Sequence, residues 1–341
     1  MLHFEKALIV KPSSLGDIIH SLPFLSAFKK SYPGTAVHWV IAKGLEDLLE
    51  GHPLIEKLWI IDKDKWKRWP HLFSTLNDLR LLFASLRRER YDLAVDLQGL
   101  FRSGLIARST RSSFIVGFQE AREGSRFLYT HRVSGGRDIH AVDRYLKIAD
   151  FLGCDTKDVE FPLHLPDDLA VTHRRHLEHG RYAVLIPGAR WATKRWPPER
   201  FGELAAKLPI PSVLIGSSSD VPLAQRAVDH SSGRAISLAG KTSLKEVARI
   251  ISKAGFVLTN DTGTMHLAAA LGVKVFALFG PTDPKRTGPY GEGHVIITAG
   301  ASCSPCFRKR CATPYCMDNI SVDRTYSVIQ ANIPLDTEEE K

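Results

Sequence analysis

Short apolar runs alternate with amphipathic stretches from one end of the chain to the other. Runs of three to five mostly apolar residues predict buried strands at 7–10, 37–41, 58–61, 93–96 and 114–117. A second series follows at 183–186, 212–215, 256–258, 275–279 and 295–297. Apolar spacings of three and four predict helices over 18–30, 72–89, 103–108 and 141–152 in the first half. In the second half they predict helices over 198–207, 222–230, 244–253 and 264–271, and a last one at about 321–333 before an acidic tail. Strands that alternate with helices imply parallel sheets covered on both faces. The stretch 161–168, with two prolines and mixed polarity, reads as a linker. The fold class expected is therefore α/β, with two domains at 1–165 and 170–320 that face each other across a cleft.

Several strands end in polar loops of small residues. Residues 259–284, TNDTGTMHLAAALGVKVFALFGPTDP, pass from a strand through Asn260-Asp261-Thr262-Gly263 straight into a helix. Such a turn aims free N–H groups and a positive helix end at a ligand, commonly a phosphate, although Asp and Thr there also serve as plain helix caps. Two further loops, Gly188 to Pro198 and Gly216-Ser217-Ser218-Ser219-Asp220, follow neighbouring strands and should open on the same carboxyl edge of the sheet. Near the N-terminus, Lys11-Pro12-Ser13-Ser14-Leu15-Gly16-Asp17 places one carboxylate at a helix start. Neither G-x-G-x-x-G nor G-x-x-x-x-G-K-[ST] occurs.

Charge narrows the class of ligand. The net charge of +9 is concentrated between Lys63 and Arg137, where fifteen Lys and Arg face seven Asp and Glu. That excess suits an anionic partner: nucleic acid, an acidic membrane surface or a phosphorylated, carboxylated substrate. Tryptophans among the cations of Lys63-Asp64-Lys65-Trp66-Lys67-Arg68-Trp69 favour a lipid interface or ring stacking. No apolar run is long enough to span a membrane and the N-terminus lacks a signal-peptide layout, so a cytoplasmic protein is expected. Cys303, Cys306, Cys311 and Cys316 crowd one window, which in a reducing compartment reads as a structural zinc or iron site; Cys154 reads as core. Asp62-Lys63-Asp64 matches the Asp-x-Asp of metal-dependent sugar transferases, a pattern too short to be specific.

Four segments together, KPSSLGDIIHSLP, DLQGLFRSGL, TKRWPPERF and NDTGTMHLAAALGVKVFALFGPTDP, resemble glycosyltransferase family 9, the bacterial heptosyltransferases of the lipopolysaccharide inner core. Ala121-Arg122-Glu123 and His140-Ala141-Val142-Asp143-Arg144 resemble its heptosyltransferase I branch. The resemblance implies a GT-B fold of two Rossmann-like domains. The N-terminal one takes Kdo2-lipid A, the C-terminal one takes ADP-heptose, and a C-terminal helix often returns to the first domain. It also implies inverting transfer without a catalytic metal, on the cytoplasmic face of the inner membrane and against its anionic surface.

Such a transfer needs one base for the acceptor hydroxyl and stabilisation of a departing diphosphate. Asp17 matches the family's base, and the helix dipole favours its ionised form. Lys194 matches the diphosphate lysine. Asp261, Thr262 and Gly263 match the donor loop, with His266 one turn on. Gly188, Ala189 and Arg190 are expected along the donor, Asp220 near the ribose, and Ser13 and Ser14 at donor or acceptor. Arg102, Arg122, His140 and Arg144 match basic acceptor positions, with Lys65, Lys67 and Arg68 a looser match. Another family 9 transferase is the neighbouring alternative. A basic nucleic-acid-binding protein with a cysteine knuckle is the alternative of another class. No helix-turn-helix or RNA-recognition signature supports it, so no nucleic acid is expected.

Overall fold

The structure is a computed structural model and describes residues 2–67, 72–136, 138–165 and 181–334. The chain divides into two compact units, Met1–His164 and Leu165–Lys341. In the first, β1 (Lys6–Val10), β2 (Ala36–Ala42), β3 (Lys57–Ile61), β4 (Leu93–Asp96), β5 (Phe114–Phe118) and β6 (His131–Val133) form one parallel sheet ordered β3-β2-β1-β4-β5-β6. Its helices are α1 (Leu15–Ser31), α2 (Leu72–Arg88), α3 (Phe101–Ser109) and α4 (Ala141–Phe151).

The second unit repeats the plan. Strands β7 (Ala183–Ile186), β8 (Ser212–Leu214), β9 (Ala235–Ser237), β10 (Phe256–Asn260), β11 (Val275–Phe279) and β12 (Val295–Thr298) are ordered β12-β11-β10-β7-β8-β9, all parallel. The helices are α5 (Pro198–Lys207), α6 (Val221–Asp229), α7 (Leu244–Ser252), α8 (Gly263–Ala270), α9 (Pro284–Thr287), α10 (Tyr315–Asp318) and α11 (Val322–Gln330). Counted within each unit, both sheets run 3-2-1-4-5-6, the Rossmann order, in which strand order reverses beside the first strand. Ligands of such sheets bind outside the carboxyl ends of the strands at that reversal. The loops after β1 and β4, and after β7 and β10, hold that place here.

The central strands are apolar on both faces because helices cover both. Leu8, Ile9 and Val10 of β1, and Phe256, Val257 and Leu258 of β10, are wholly buried. Strands β6 and β9 have no counterpart in the predicted set. Each has three residues of mixed polarity at a sheet edge, and pairing with β5 or β8 makes them strands where composition does not.

The C-terminal helix belongs to the second unit's core, where Val322 and Ile329 of α11 are buried with Trp196, Phe201 and Leu204. The reason lies in α5 and the loop before it. The Trp196 indole donates to the Ile320 carbonyl at 2.8 Å, Arg200 donates to the same oxygen, and Lys207 pairs with Asp323 at 2.5 Å.

Candidate active site

The β1–β4 register sets Val10 beside Asp96, so the loops leaving both strands start side by side. Lys11 follows β1 and is 2% exposed. Its ammonium donates to the Leu97 carbonyl at 3.2 Å, lies 5.0 Å from the centre of the Tyr145 ring and 3.9 Å from Asp17 Oδ1. Burial alone would lower the pKa of Lys11; the oxygens of Tyr145, Asp17 and Asp96 outweigh it and raise the value. Asp17 sits in the first turn of α1, where its Oδ2 accepts the Ser14 N–H at 2.8 Å and the Ser14 hydroxyl at 2.7 Å. The carboxylate is thus a helix cap on one oxygen and faces a buried cation with the other, its side chain 42% exposed. Ser13 donates its N–H to Gln98 Oε1 at 3.4 Å.

Asp96 anchors the second loop. Wholly buried, it accepts from the Tyr129 hydroxyl (2.7 Å), the Ser103 hydroxyl (2.8 Å) and the N–H groups of Gln98 (2.9 Å) and Gly99 (3.0 Å). Burial raises its pKa, partly offset by those donors. Gly99 takes φ +69, and its carbonyl accepts the Arg122 N–H at 2.9 Å, which joins the loops after β4 and β5.

Arg102 and Arg122 are exposed near this junction. Arg144, on α4, has its guanidinium 4.2 Å from the Phe118 ring centre and 3.9 Å from Glu120, on the loop after β5 that also carries Arg122. Its buried Nε has no hydrogen-bond partner. His140 caps α4, accepting the Val142 N–H at 3.2 Å, and its ring meets the buried His20 edge-on at 4.8 Å. Lys65 is held in an ion pair with Asp78 of α2 at 2.6 Å. Asp62 caps the turn before it by accepting the Lys65 N–H. Arg68 and the Lys67 side chain lie outside the described residues.

In the second unit Asn260, buried at the end of β10, ties two loops together. Its amide donates to the Pro187 carbonyl at 2.9 Å and its oxygen accepts the Trp196 N–H at 3.0 Å. The loop so held brings Lys194 to Asp261, with Nζ 2.6 Å from Oδ2. The Thr282 hydroxyl, on the loop after β11, donates to the same oxygen at 2.6 Å. Thr262 is the N-cap of α8, Gly263 its first residue, and the Thr264 hydroxyl is buried without a partner. His266 is 8% exposed in the same helix. Small residues let α8 bury almost all round: Met265, Leu267, Ala268 and Ala269 are all core.

Gly188 and Asp220 meet. A Cβ on Gly188 would lie 2.5 Å from Asp220 Cγ, so only glycine admits the carboxyl there. Asp220 itself accepts from the Ser217 N–H (2.9 Å) and hydroxyl (2.6 Å), the same cap that Asp17 makes with Ser14. The Ala189 carbonyl accepts from Arg195 at 2.8 Å, and Arg190 is exposed.

The thiols of Cys303, Cys306 and Cys311 lie near Cys316, where burial first and then their proximity raise its pKa. Cys316 is buried in the core, Cys306 is half-buried, Cys303 and Cys311 are exposed, and all are free thiols. Among the described residues no three His, Cys, Asp or Glu side chains are placed to hold an ion. On α10, Cys316 turns inward against Gly280. Cys154 is core, and burial lifts its thiol pKa to about 11. No helix among the described residues is long and apolar enough to cross a membrane.

Lys11, Asn260, Thr282 and Glu120 were not singled out from the sequence. Glu120 accepts from the N–H groups of Gly135 (3.1 Å) and Gly136 (3.4 Å) and from the Ser134 hydroxyl. A lysine directly after a buried strand and an asparagine ending one were the available signals.

Residues 79–316 match glycosyltransferase family 9 (heptosyltransferase). The chain belongs to that family. It is 32% identical to lipopolysaccharide heptosyltransferase 1 of Pseudomonas aeruginosa over 90% of this chain and 87% of that one. Identity to the Escherichia coli K12 protein of the same name is 29%, over 86% of this chain and 93% of that one. The solved structure of E. coli heptosyltransferase WaaC with ADP superposes with a TM-score of 0.79 at 26% identity, over 96% of this chain and 100% of that one. As a family 9 member the chain is a glycosyltransferase, and its two Rossmann-like units are those of the GT-B fold.

Proposed function

We propose that this glycosyltransferase moves heptose from ADP-heptose to a Kdo sugar of Kdo2-lipid A, with inversion, in building the lipopolysaccharide inner core. The observation that carries the donor assignment is the Lys194–Asp261 pair at the strand-order reversal of the second unit, beside the N-terminus of α8. Support for adenine and heptose comes from WaaC, solved with ADP and with ADP-2-deoxy-2-fluoro heptose.

In the proposed step an acceptor hydroxyl oxygen attacks the anomeric carbon, and the bond from that carbon to the diphosphate oxygen breaks with its electron pair. Asp17 takes the hydroxyl proton. The diphosphate leaves toward Lys194 and the N–H groups of Thr262 and Gly263, which is why no acid is needed. Asp261 and His266 hold the sugar, Gly188, Ala189 and Arg190 run along the donor, and Asp220 stands near the ribose. Arg102, Arg122 and Arg144 receive phosphate and carboxylate groups of the acceptor, where bidentate pairing suits both anions.

The proposed acceptor is a lipid and the proposed donor a nucleotide sugar, which suits the cytoplasmic face of the inner membrane. Support comes from Phe101 and Phe127, 45% and 69% exposed, beside the exposed Arg102, Arg122 and Arg126. Aromatic rings among arginines suit an anionic lipid interface. The test is transfer from ADP-heptose to Kdo2-lipid A followed by product mass, with heptosyl-Kdo2-lipid A as a second acceptor. One heptose added to Kdo2-lipid A is the expected result. Transfer only to the heptosylated acceptor, or to neither, overturns the acceptor assignment.

A further inference from the structure

The segment between Cys303 and Cys311 has no part in the reaction as described, yet it is fastened to the donor loops at several points. The N–H groups of Cys306 and Phe307 both donate to the Pro281 carbonyl, at 3.0 and 2.8 Å, and the Ser304 hydroxyl donates to the Gly280 carbonyl. Pro281 adjoins Thr282, whose hydroxyl binds Asp261. On the other side, the buried Thr193 donates its hydroxyl to the Arg308 carbonyl at 2.8 Å, and Thr193 adjoins Lys194. So held, Lys309 lies with its ammonium 5.3 Å from the centre of the Trp191 indole, which the Lys194 ammonium also approaches, at 4.6 Å.

The charges of this cluster are unequal. Lys194 shares its charge with Asp261. No carboxylate among the described residues pairs with Lys309. Two ammonium groups drawn to one ring repel each other, and a cation–π contact repays only part of that. A multiply charged anion bound by both ammonium groups offsets the repulsion.

We infer that Lys309 is a second ammonium ligand of the donor's diphosphate, delivered to it by the 303–311 segment. The inference rests on the second unit being the nucleotide-sugar site. No bond is made or broken by Lys309: it binds the diphosphate and stabilises the charge that grows there as the sugar departs.

Calorimetric titration of the full chain with ADP, and separately with adenosine, tests it in wild type, Lys309→Ala, Lys309→Arg and Lys194→Ala. Loss of one charge-assisted contact predicts ADP binding about 10-fold weaker in Lys309→Ala. Lys309→Arg should stay within about 3-fold of wild type, adenosine affinity should not change, and the melting temperature should hold. Wild-type ADP affinity in Lys309→Ala, with affinity lost in Lys194→Ala, overturns the role of Lys309 and leaves the donor site standing. Equal losses for ADP and adenosine make Lys309 a structural residue and also overturn it. A wild-type protein that binds no ADP removes the donor site and this inference together.

Discussion

Lys194 and Asp261, 67 residues apart, face each other at 2.6 Å with the lysine 16% and the aspartate 6% exposed. Neither partner tolerates solitude so far from water. The pair therefore fixes the loop after β7 against the loop after β10 before any substrate arrives.

Removing one partner should cost more than removing both. Lys194→Met leaves a buried carboxylate with the Thr282 hydroxyl, and we expect a loss of about 3 kcal/mol in denaturant melts. The double variant Lys194→Met/Asp261→Asn should recover at least half of that while ADP binding stays weak. Additive losses would contradict the coupling.

Asp17 has two separable duties. Asparagine keeps an oxygen for the Ser14 N–H and hydroxyl but cannot take a proton and no longer faces buried Lys11 with a charge, so Asp17→Asn should stay folded but melt several degrees below wild type. Turnover should fall by at least about 100-fold and ADP affinity should stay unchanged. Near-normal turnover would reduce Asp17 to a helix cap.

Gly188 and Asp220 form a lock that a methyl group breaks. Gly188→Ala should destabilise by about 2 kcal/mol and weaken ADP binding, because the Asp220 carboxyl has to move off its Ser217 donors. Asp220→Ala in the same chain removes the clash, and stability should return most of the way. Failure of that rescue would place the strain in the backbone at 188.

Glu89 gives a pH signature. It accepts from Lys57 at 2.6 Å and Lys6 at 2.9 Å, which pull its carboxyl from 4.5 to about 2. A depressed carboxylate contributes stability above its unfolded value and loses it as pH falls through the folded one. Glu89→Gln should therefore melt slightly below wild type at pH 7, and the gap should close between about pH 4.5 and 2. A gap that persists below pH 2 would assign the effect to packing.

Much of the architecture was legible in the order of residues, for a physical reason. A strand buried on both faces is mostly apolar, so β4, β7 and β11 could be bounded to the residue, and 198–207 could be bounded as a helix. Strands β6 and β9 could not, since an edge strand of three mixed residues is made by its neighbour.

The sequence by itself determined the alternation of strands and helices and the polar loops after β1, β7, β8 and β10. It also showed the motifs that mark family 9. Only the tertiary structure decided which of those residues meet. Parallel pairing joins β1 to β4 and β7 to β10, strands far apart along the chain, and that pairing buries Lys11 beside Asp17. It lets Asn260 tie the loop that brings Lys194 to Asp261, and seats Lys309 over Trp191. A lysine in sequence is a cation of unknown company. Its burial and its partners are properties of the register between strands, which no local pattern encodes.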